Sequence, residues 1–392
     1  MDEIRNPYAP GAGTPPPELA GRDQELRQFQ VLLARLAAGR PDQGLALWGL
    51  RGVGKTVLLS AFRGLAAEAG WGVGSFELSR RTALRAPLAT LVTQAATTLA
   101  RHPGLAGRIR DALRVVKSFS VTAMPTGVTF KLETDPAVGR GDTGQLDIDV
   151  LEVLRELGST AQTEGVGVVL LIDEMQFAEP EDLSGLLSAL HQIGQENLPV
   201  TVVCAGLPQL PATLTKASSY AERLFSYVEV GKLTPDAATD ALVLPVRRED
   251  VDYGPEAVEF ILRCSGRYPF FLQTYGKYAW ATAPQSPITL TDAHNADSIA
   301  REHLDQGFHR ARFLRATPRE RQYLQAMAAL GDGPQATGAI ARRLGVDPSA
   351  VSPVRAELLE TKGLIYSPDH GLVDFSAPLF GDYLRRHHAI DE

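Results

Sequence analysis

Gly49-x-x-x-x-Gly54-Lys55-Thr56 has the spacing of a phosphate-binding turn. Glycines let the backbone curl until successive N–H groups face one anion, and a following helix adds the partial positive charge of its N-terminus. The flanks fit that use. Leu45 to Trp48 is an apolar run that reads as a buried strand, and Val57, Leu58, Leu59, Ala61 and Phe62 open a helix. In this setting Lys55 is expected to reach β- and γ-phosphates, and the Thr56 hydroxyl to bind Mg²⁺.

A second chemical signal follows at Val166 to Gln176. The continuous apolar run Val168 to Ile172 predicts a strand buried on both faces, and it ends on Asp173-Glu174. Acidic residues at the carboxyl end of such a strand sit where an α/β sheet binds its ligand. With a phosphate loop upstream, Asp173 is expected to hold the metal and Glu174 to act as the general base that orients water.

The elements that must position these residues can be read in order. Residues 1–17, rich in Pro and Gly, predict an extended, flexible arm. Asp23 caps a helix to about Ala38. Strands are predicted near 45, 73, 168, 200 and 227 with helices between them, which is a five-stranded parallel α/β sheet. Phe119, Val121 and Ala123 alternate, as do Val128, Phe130 and Leu132, around a Pro-x-Gly turn. That pattern predicts a β-hairpin over about 118–134. Residues 18–233 thus form a nucleotide-binding core, 234–315 an all-helical lid, and 316–392 three helices plus a two-stranded wing, the pattern of a winged helix.

Bulk composition narrows the function classes. The chain of 392 residues carries net charge −7, so a whole-surface grip on nucleic acid is not indicated. Cys204 and Cys264 have no metal-ligand spacing and read as reduced thiols. No run approaches a membrane span and the first 21 residues lack an apolar leader, so a cytoplasmic protein without membrane contact is expected.

Taken together, the order Pro-Glu-Leu-Ala-Gly-Arg-Asp at 17–23, phosphate loop (Walker A), acidic strand end (Walker B), helical lid and winged helix resembles AAA+ P-loop ATPases of the initiator (origin-recognition-like) and archaeal-ATPase kind, related to the signal-transducing STAND ATPases. The resemblance implies ATP or ADP and Mg²⁺ as ligands. It implies nucleotide contacts from Gly21, Arg22, Gly49, Gly52, Val53, Gly54, Lys55, Thr56 and Val57. Gly266-Arg267-Tyr268-Pro269 resembles the GxP turn that touches the base, with Arg267 also matching a lid arginine. Arg223 stands where the family places an arginine finger, a catalytic group that reaches the γ-phosphate of a neighbouring copy. The strand at 200–205 departs from the pattern, since it ends in Cys204-Ala205-Gly206 and lacks the usual polar residue.

Two uses of the C-terminal region remain open. The segment from Ala316 to Glu392 has eight Lys/Arg and ten Asp/Glu. Its expected recognition helix offers Ser349, Ser352, Arg355 and Lys362 to duplex DNA, flanked by the pairs Arg342–Arg343 and Arg385–Arg386. A neutral winged helix equally suits a protein partner, in a nucleotide-gated switch. The hairpin at 118–134 is left between DNA, a partner and its own core.

Overall fold

The computed structural model describes residues 1–392 except 12, 80–81, 106–107, 124–133 and 389–392. The chain divides into two compact units. One comprises residues 24–48 and 58–229, the other residues 1–23, 49–57 and 230–392.

The first unit is an α/β layer. Its elements are α1 (Asp23–Ala37), β1 (Gly44–Trp48), α2 (Lys55–Glu68), β2 (Gly72–Glu77), α3 (Arg85–Leu99), α4 (Ile109–Ala123), α5 (Leu146–Gln162), β3 (Val168–Asp173), α6 (Pro180–Gln195), β4 (Val200–Gly206), α7 (Leu210–Ala217), α8 (Ala221–Leu224) and β5 (Phe225–Glu229). The five strands pair in parallel in the order β2-β3-β4-β1-β5, the fold of P-loop nucleotide-binding proteins. β3 and β4 are buried along their whole length, as continuous Val/Leu/Ile runs require in a parallel sheet covered on both faces. Phe29, Leu32, Leu33 and Leu36 form the buried stripe of α1, and Phe29 stacks on Phe62 of α2 at 4.3 Å.

The expected hairpin is corrected here. Residues 118–123 continue α4, because Ile109, Ala112, Val115, Val116 and Phe119 recur at helical spacing and are all buried. The alternation of Phe119 with Val121 misled because Val121 lies on the exposed side of that helix. The hairpin's turn and most of its second strand lie outside the described residues. The last core strand begins at Phe225, two residues earlier than expected.

The second unit holds a helical cluster and a C-terminal layer. α9 (Pro235–Arg247), α10 (Pro255–Cys264), α11 (Pro269–Thr282) and α12 (Leu290–His303) pack around Leu242, Phe260, Phe271, Trp280 and Ala296. Thr234 caps α9 through the Ala237 amide at 3.3 Å. A π-helical turn at Leu304–His309 separates α12 from α13 (Arg310–Leu314). Then follow α14 (Pro318–Ala329), β6 (Gln335–Ala336), α15 (Thr337–Arg343), α16 (Pro348–Ala356), β7 (Ile365–Tyr366), β8 (Leu372–Phe375) and α17 (Phe380–His387). The small sheet has three strands, β6-β8-β7, one more than expected.

The N-terminal arm is also corrected. It is not loose, because Tyr8 is 5% exposed within the core of α9–α12 and the Trp280 indole donates to the Asp2 carbonyl at 2.8 Å. A Pro/Gly-rich composition signals the absence of regular structure, which here coexists with specific anchoring.

Candidate functional site

The phosphate loop lies in the second unit. Gly52 and Gly54 take left-handed φ values of 79° and 97°, which a side chain would strain. A Cβ on Gly54 would meet nothing within 4 Å, so one face of the turn is open. Lys55 opens α2 and is 7% exposed. Its ammonium donates to the carbonyls of Gly49 and Leu50, each at 2.8 Å, which arches the side chain back over the loop.

Arg22 braces that loop from behind. It is 6% exposed, and its guanidinium donates to the carbonyls of Val53 (3.1 Å) and Gly231 (2.7 Å). Gly21 has φ 66°, and an added Cβ would lie 2.5 Å from Ala237, so only glycine lets the chain pass there. A slot of about 50 Å³ opens beside the loop, lined among others by Leu19, Ala20, Val53, Val57 and Pro269. The lining is mostly apolar, with Glu18, Arg22 and Gln273 as its polar side chains.

Gly266-Arg267-Tyr268-Pro269 is a tight turn with Arg267 at φ 61°. The Arg267 carbonyl accepts the Leu233 amide at 3.0 Å. Pro269 lines the slot, while Arg267 is not among the residues that do.

The acidic pair lies in the first unit. Asp173 ends β3 and is 6% exposed, and its Oδ1 accepts the Glu174 amide at 2.8 Å. Glu174 is left-handed at φ 54°, ψ 37°, a strained conformation for a residue with a side chain. The Gln176 amide donates to the Glu174 carboxylate, while its Oε1 accepts the Leu207 amide at 3.0 Å. Gln176 therefore supplies a polar group at the end of β4, where the sequence of β4 has none. The sequence reading missed it, although its place two residues after Glu174 was a usable signal.

Arg223 is exposed at the amino end of β5, with its guanidinium 5.5 Å from the Tyr220 ring, itself stacked on His191. Gln43 holds the Glu222 and Arg223 carbonyls, each at 3.1 Å. Five to seven residues of parallel strand, about 17–23 Å, separate this edge from the carboxyl edge that carries Asp173. A cavity of about 410 Å³ beside Arg223 belongs to this far edge and not to the acidic pair.

A hydroxyl such as that of Thr56 and a carboxylate such as that of Asp173 are each hard oxygen donors of the kind Mg²⁺ takes. Among the described residues no cluster of three or more His, Cys, Asp or Glu could hold a metal on protein ligands alone. No helix of the described residues is long and apolar enough to cross a membrane.

In the C-terminal layer several cations are already engaged. Lys362, expected to face DNA, is instead buried and paired with Glu320. Arg385 pairs with Asp332 at 2.6 Å, and Arg386 with Asp305 at 2.5 Å. Arg355 donates to Ser367 at 3.1 Å. Arg342 and Arg343 are exposed.

Two family models match the chain. Residues 18–203 match the AAA ATPase domain family, and residues 306–384 match a family described as a domain of unknown function, DUF8462. No curated protein matches the chain. The Walker-type ATPase of Pyrococcus abyssi is similar in structure, with TM-score 0.58 and 16% identity over 94% of this chain and 96% of that one. The ORC2 protein of Aeropyrum pernix, solved as ADPNP–ADP complexes, gives 0.54 and 16% over 96% and 95%. At that identity the likeness concerns the fold.

Proposed function

We infer, for a chain whose residues 18–203 match the AAA ATPase domain family, that it binds and hydrolyses Mg²⁺-ATP and uses the nucleotide state to control a C-terminal winged-helix domain. The observation that carries this is the open, left-handed turn at Gly52–Gly54, braced by Arg22 and followed directly by Lys55 at a helix start. In this reading the amides of Gly52 to Thr56 hold the phosphates, Gly49 and Val57 frame the turn, and Lys55 leaves its carbonyls for the β- and γ-oxygens. Leu19, Ala20, Gly21 and Pro269 border the base. Thr56 and Asp173 are the residues that would hold Mg²⁺, which would supply charge neutralisation to the phosphates. Glu174, fixed by Gln176, orients the attacking water. Arg223 serves a neighbouring copy, and Arg267 acts from the lid if nucleotide draws it in.

For the output, the geometry favours a nucleotide-gated switch. The Arg51 amide of the phosphate loop donates to the Ser376 carbonyl at 3.0 Å, and the Phe270 amide donates to the Gly52 carbonyl at 3.2 Å. The loop that would sense the γ-phosphate is thus bonded to both lid and C-terminal domain, and nucleotide can release or lock that contact. A second reading, control of duplex DNA through the winged helix, is favoured by the exposed Arg342–Arg343 pair. ATP turnover with and without duplex DNA, beside Glu174→Gln, tests both. Glu174-dependent turnover raised by DNA supports the DNA reading. Slow turnover indifferent to DNA, with nucleotide retained through purification, supports the switch. Protein that binds no nucleotide overturns both.

A further inference from the structure

The π-helical turn at Leu304–His309 lies where the chain passes from the lid helices to the C-terminal layer. Such turns are rare and frequently mark functional sites. A cavity of about 190 Å³ opens beside it. Tyr275, Leu304 and Leu379 supply apolar lining, while Arg301 of α12, His309 and Asp382 of α17 supply polar lining. The side chains of Arg301 and Asp382 are each 42% exposed, so a solute can reach the cavity past them.

These polar groups do not satisfy one another. One Arg301 nitrogen donates to both Asp297 oxygens at 3.0 and 3.1 Å, but its Nε is buried without a hydrogen-bond partner. His309 is 2% exposed, and its Nδ1 is likewise buried and unpartnered. Asp382 gives one oxygen to Arg386 at 3.0 Å, and its other oxygen accepts from no described residue. Buried donors and acceptors left unpaired are costly, so such atoms call for a partner.

Their chemistry defines what that partner offers. Arg301 can only donate, and a carboxylate such as Asp382 can only accept. Burial pushes the His309 imidazole down to about 3, so the ring is neutral and holds one donor and one acceptor nitrogen. A fitting solute therefore carries an acceptor for Arg301, a donor for Asp382 and an apolar body for Leu304 and Leu379. A cavity of about 150 Å³ accepts benzene, so this one has room for roughly eight to ten non-hydrogen atoms.

We propose that this cavity is a binding site for a free α-amino acid with an aliphatic side chain, its carboxylate on Arg301 and its ammonium on Asp382 and His309. Bound there, the ligand joins α12 to α17, alongside the existing ion pair of Asp305 with Arg386 at 2.5 Å. Occupancy therefore stiffens the junction between the lid helices and the C-terminal layer. The assignment is independent of the nucleotide reading.

Cys264 provides the readout. It lines the cavity and is half-buried, whereas Cys204 is fully buried. Alkylation of Cys264 in the full chain by iodoacetamide is followed by mass spectrometry in the presence of leucine, isoleucine or valine. At least one of the three is expected to slow alkylation fivefold or more and to raise the melting temperature. N-acetyl-leucine and leucinamide, each lacking one charge, should do neither. Asp382→Asn and Arg301→Gln should each raise the concentration for half-protection tenfold or more. If Arg301→Gln fails to fold, Asp382→Asn decides, since that side chain is largely at the surface. No protection by any of the three overturns the site. Undiminished protection in Asp382→Asn does so too, and equal protection by leucinamide and N-acetyl-leucine overturns the amino-acid class.

Discussion

Gln176 and Leu207 are joined by a hydrogen bond of 3.0 Å from the Leu207 amide to the Gln176 side-chain oxygen. Its consequence lies at the other end of that side chain, whose NH₂ donates to the Glu174 carboxylate. Gly206 makes the approach possible, since a Cβ there would collide with the Gln176 oxygen. Gln176→Ala is therefore expected to lower kcat for ATP about tenfold with KM nearly unchanged, because it frees the group proposed to orient water and touches no proposed binding contact. Equal kcat in the variant would remove Gln176 from the site.

The loop and the acidic pair separate binding from chemistry. Lys55→Ala is expected to abolish nucleotide binding, measured by calorimetry. Glu174→Gln should bind ATP with near-normal affinity and cleave it at least a hundredfold more slowly, in line with general base losses. ATP cleavage at the normal rate in Glu174→Gln would assign the base elsewhere.

The turn at Gly49–Thr56 and the strand that ends on Asp173 were legible as structural elements because their signals are local. The phosphate loop is eight residues, and β3 is an unbroken apolar run ending in Asp173. The parallel sheet followed from the same kind of signal. What escaped depends on distant partners. The anchoring of Tyr8 rests on Gly276, 268 positions away, and nothing in Pro/Gly composition reports it. Lys362 read as a surface cation because its partner, Glu320, lies 42 residues back. At 118–123 two periodicities competed, and burial against the rest of the α/β layer selected the helix.

Arg223 sits at the sheet edge remote from Asp173, so the finger role proposed for it would require a second copy. Arg223→Ala and Lys55→Ala are each expected to be nearly inactive alone. Mixing them should restore a fraction of the ATPase rate, because one copy supplies the loop and the other the arginine. Rates that stay at the sum of the two separate variants would make Arg223 a surface residue.

Arg22 ties the loop to Gly231 through two carbonyl contacts made by a buried charge. Hydrogen bonds from charged groups contribute about 1.5–3 kcal/mol. Arg22→Ala should lower nucleotide affinity roughly tenfold or more and reduce the melting temperature by several degrees. Arg22→Lys should rescue little, since one ammonium replaces a planar fork. Unaltered affinity in Arg22→Ala would show that the loop keeps its shape unaided.

His309 gives the C-terminal half a pH dependence of known sign. Burial among Phe271, Phe308, Phe380 and Tyr383 pushes its imidazole down to about 3 from 6.5. Asp305 and Asp382 pull the other way, and Arg312 and Arg386 reinforce the depression. Between those two values the unfolded chain binds a proton that the folded chain does not, so stability rises with pH. The His309 contribution is complete above about pH 6.5 and falls on acidification, by roughly 1 kcal/mol between pH 6 and 5. Asp305 contributes in a different window. Burial raises its pKa, but Arg386 and His387 outweigh this and hold it below the ordinary carboxylate value of 3.8. Its stabilisation is therefore lost only at more acid pH. Urea unfolding of the full chain at pH 5, 6 and 7, followed by the near-ultraviolet signal, should show the slope in the unaltered protein and a flatter one in His309→Gln. Identical slopes in the two proteins would mean that His309 is protonated alike in the folded and unfolded chains.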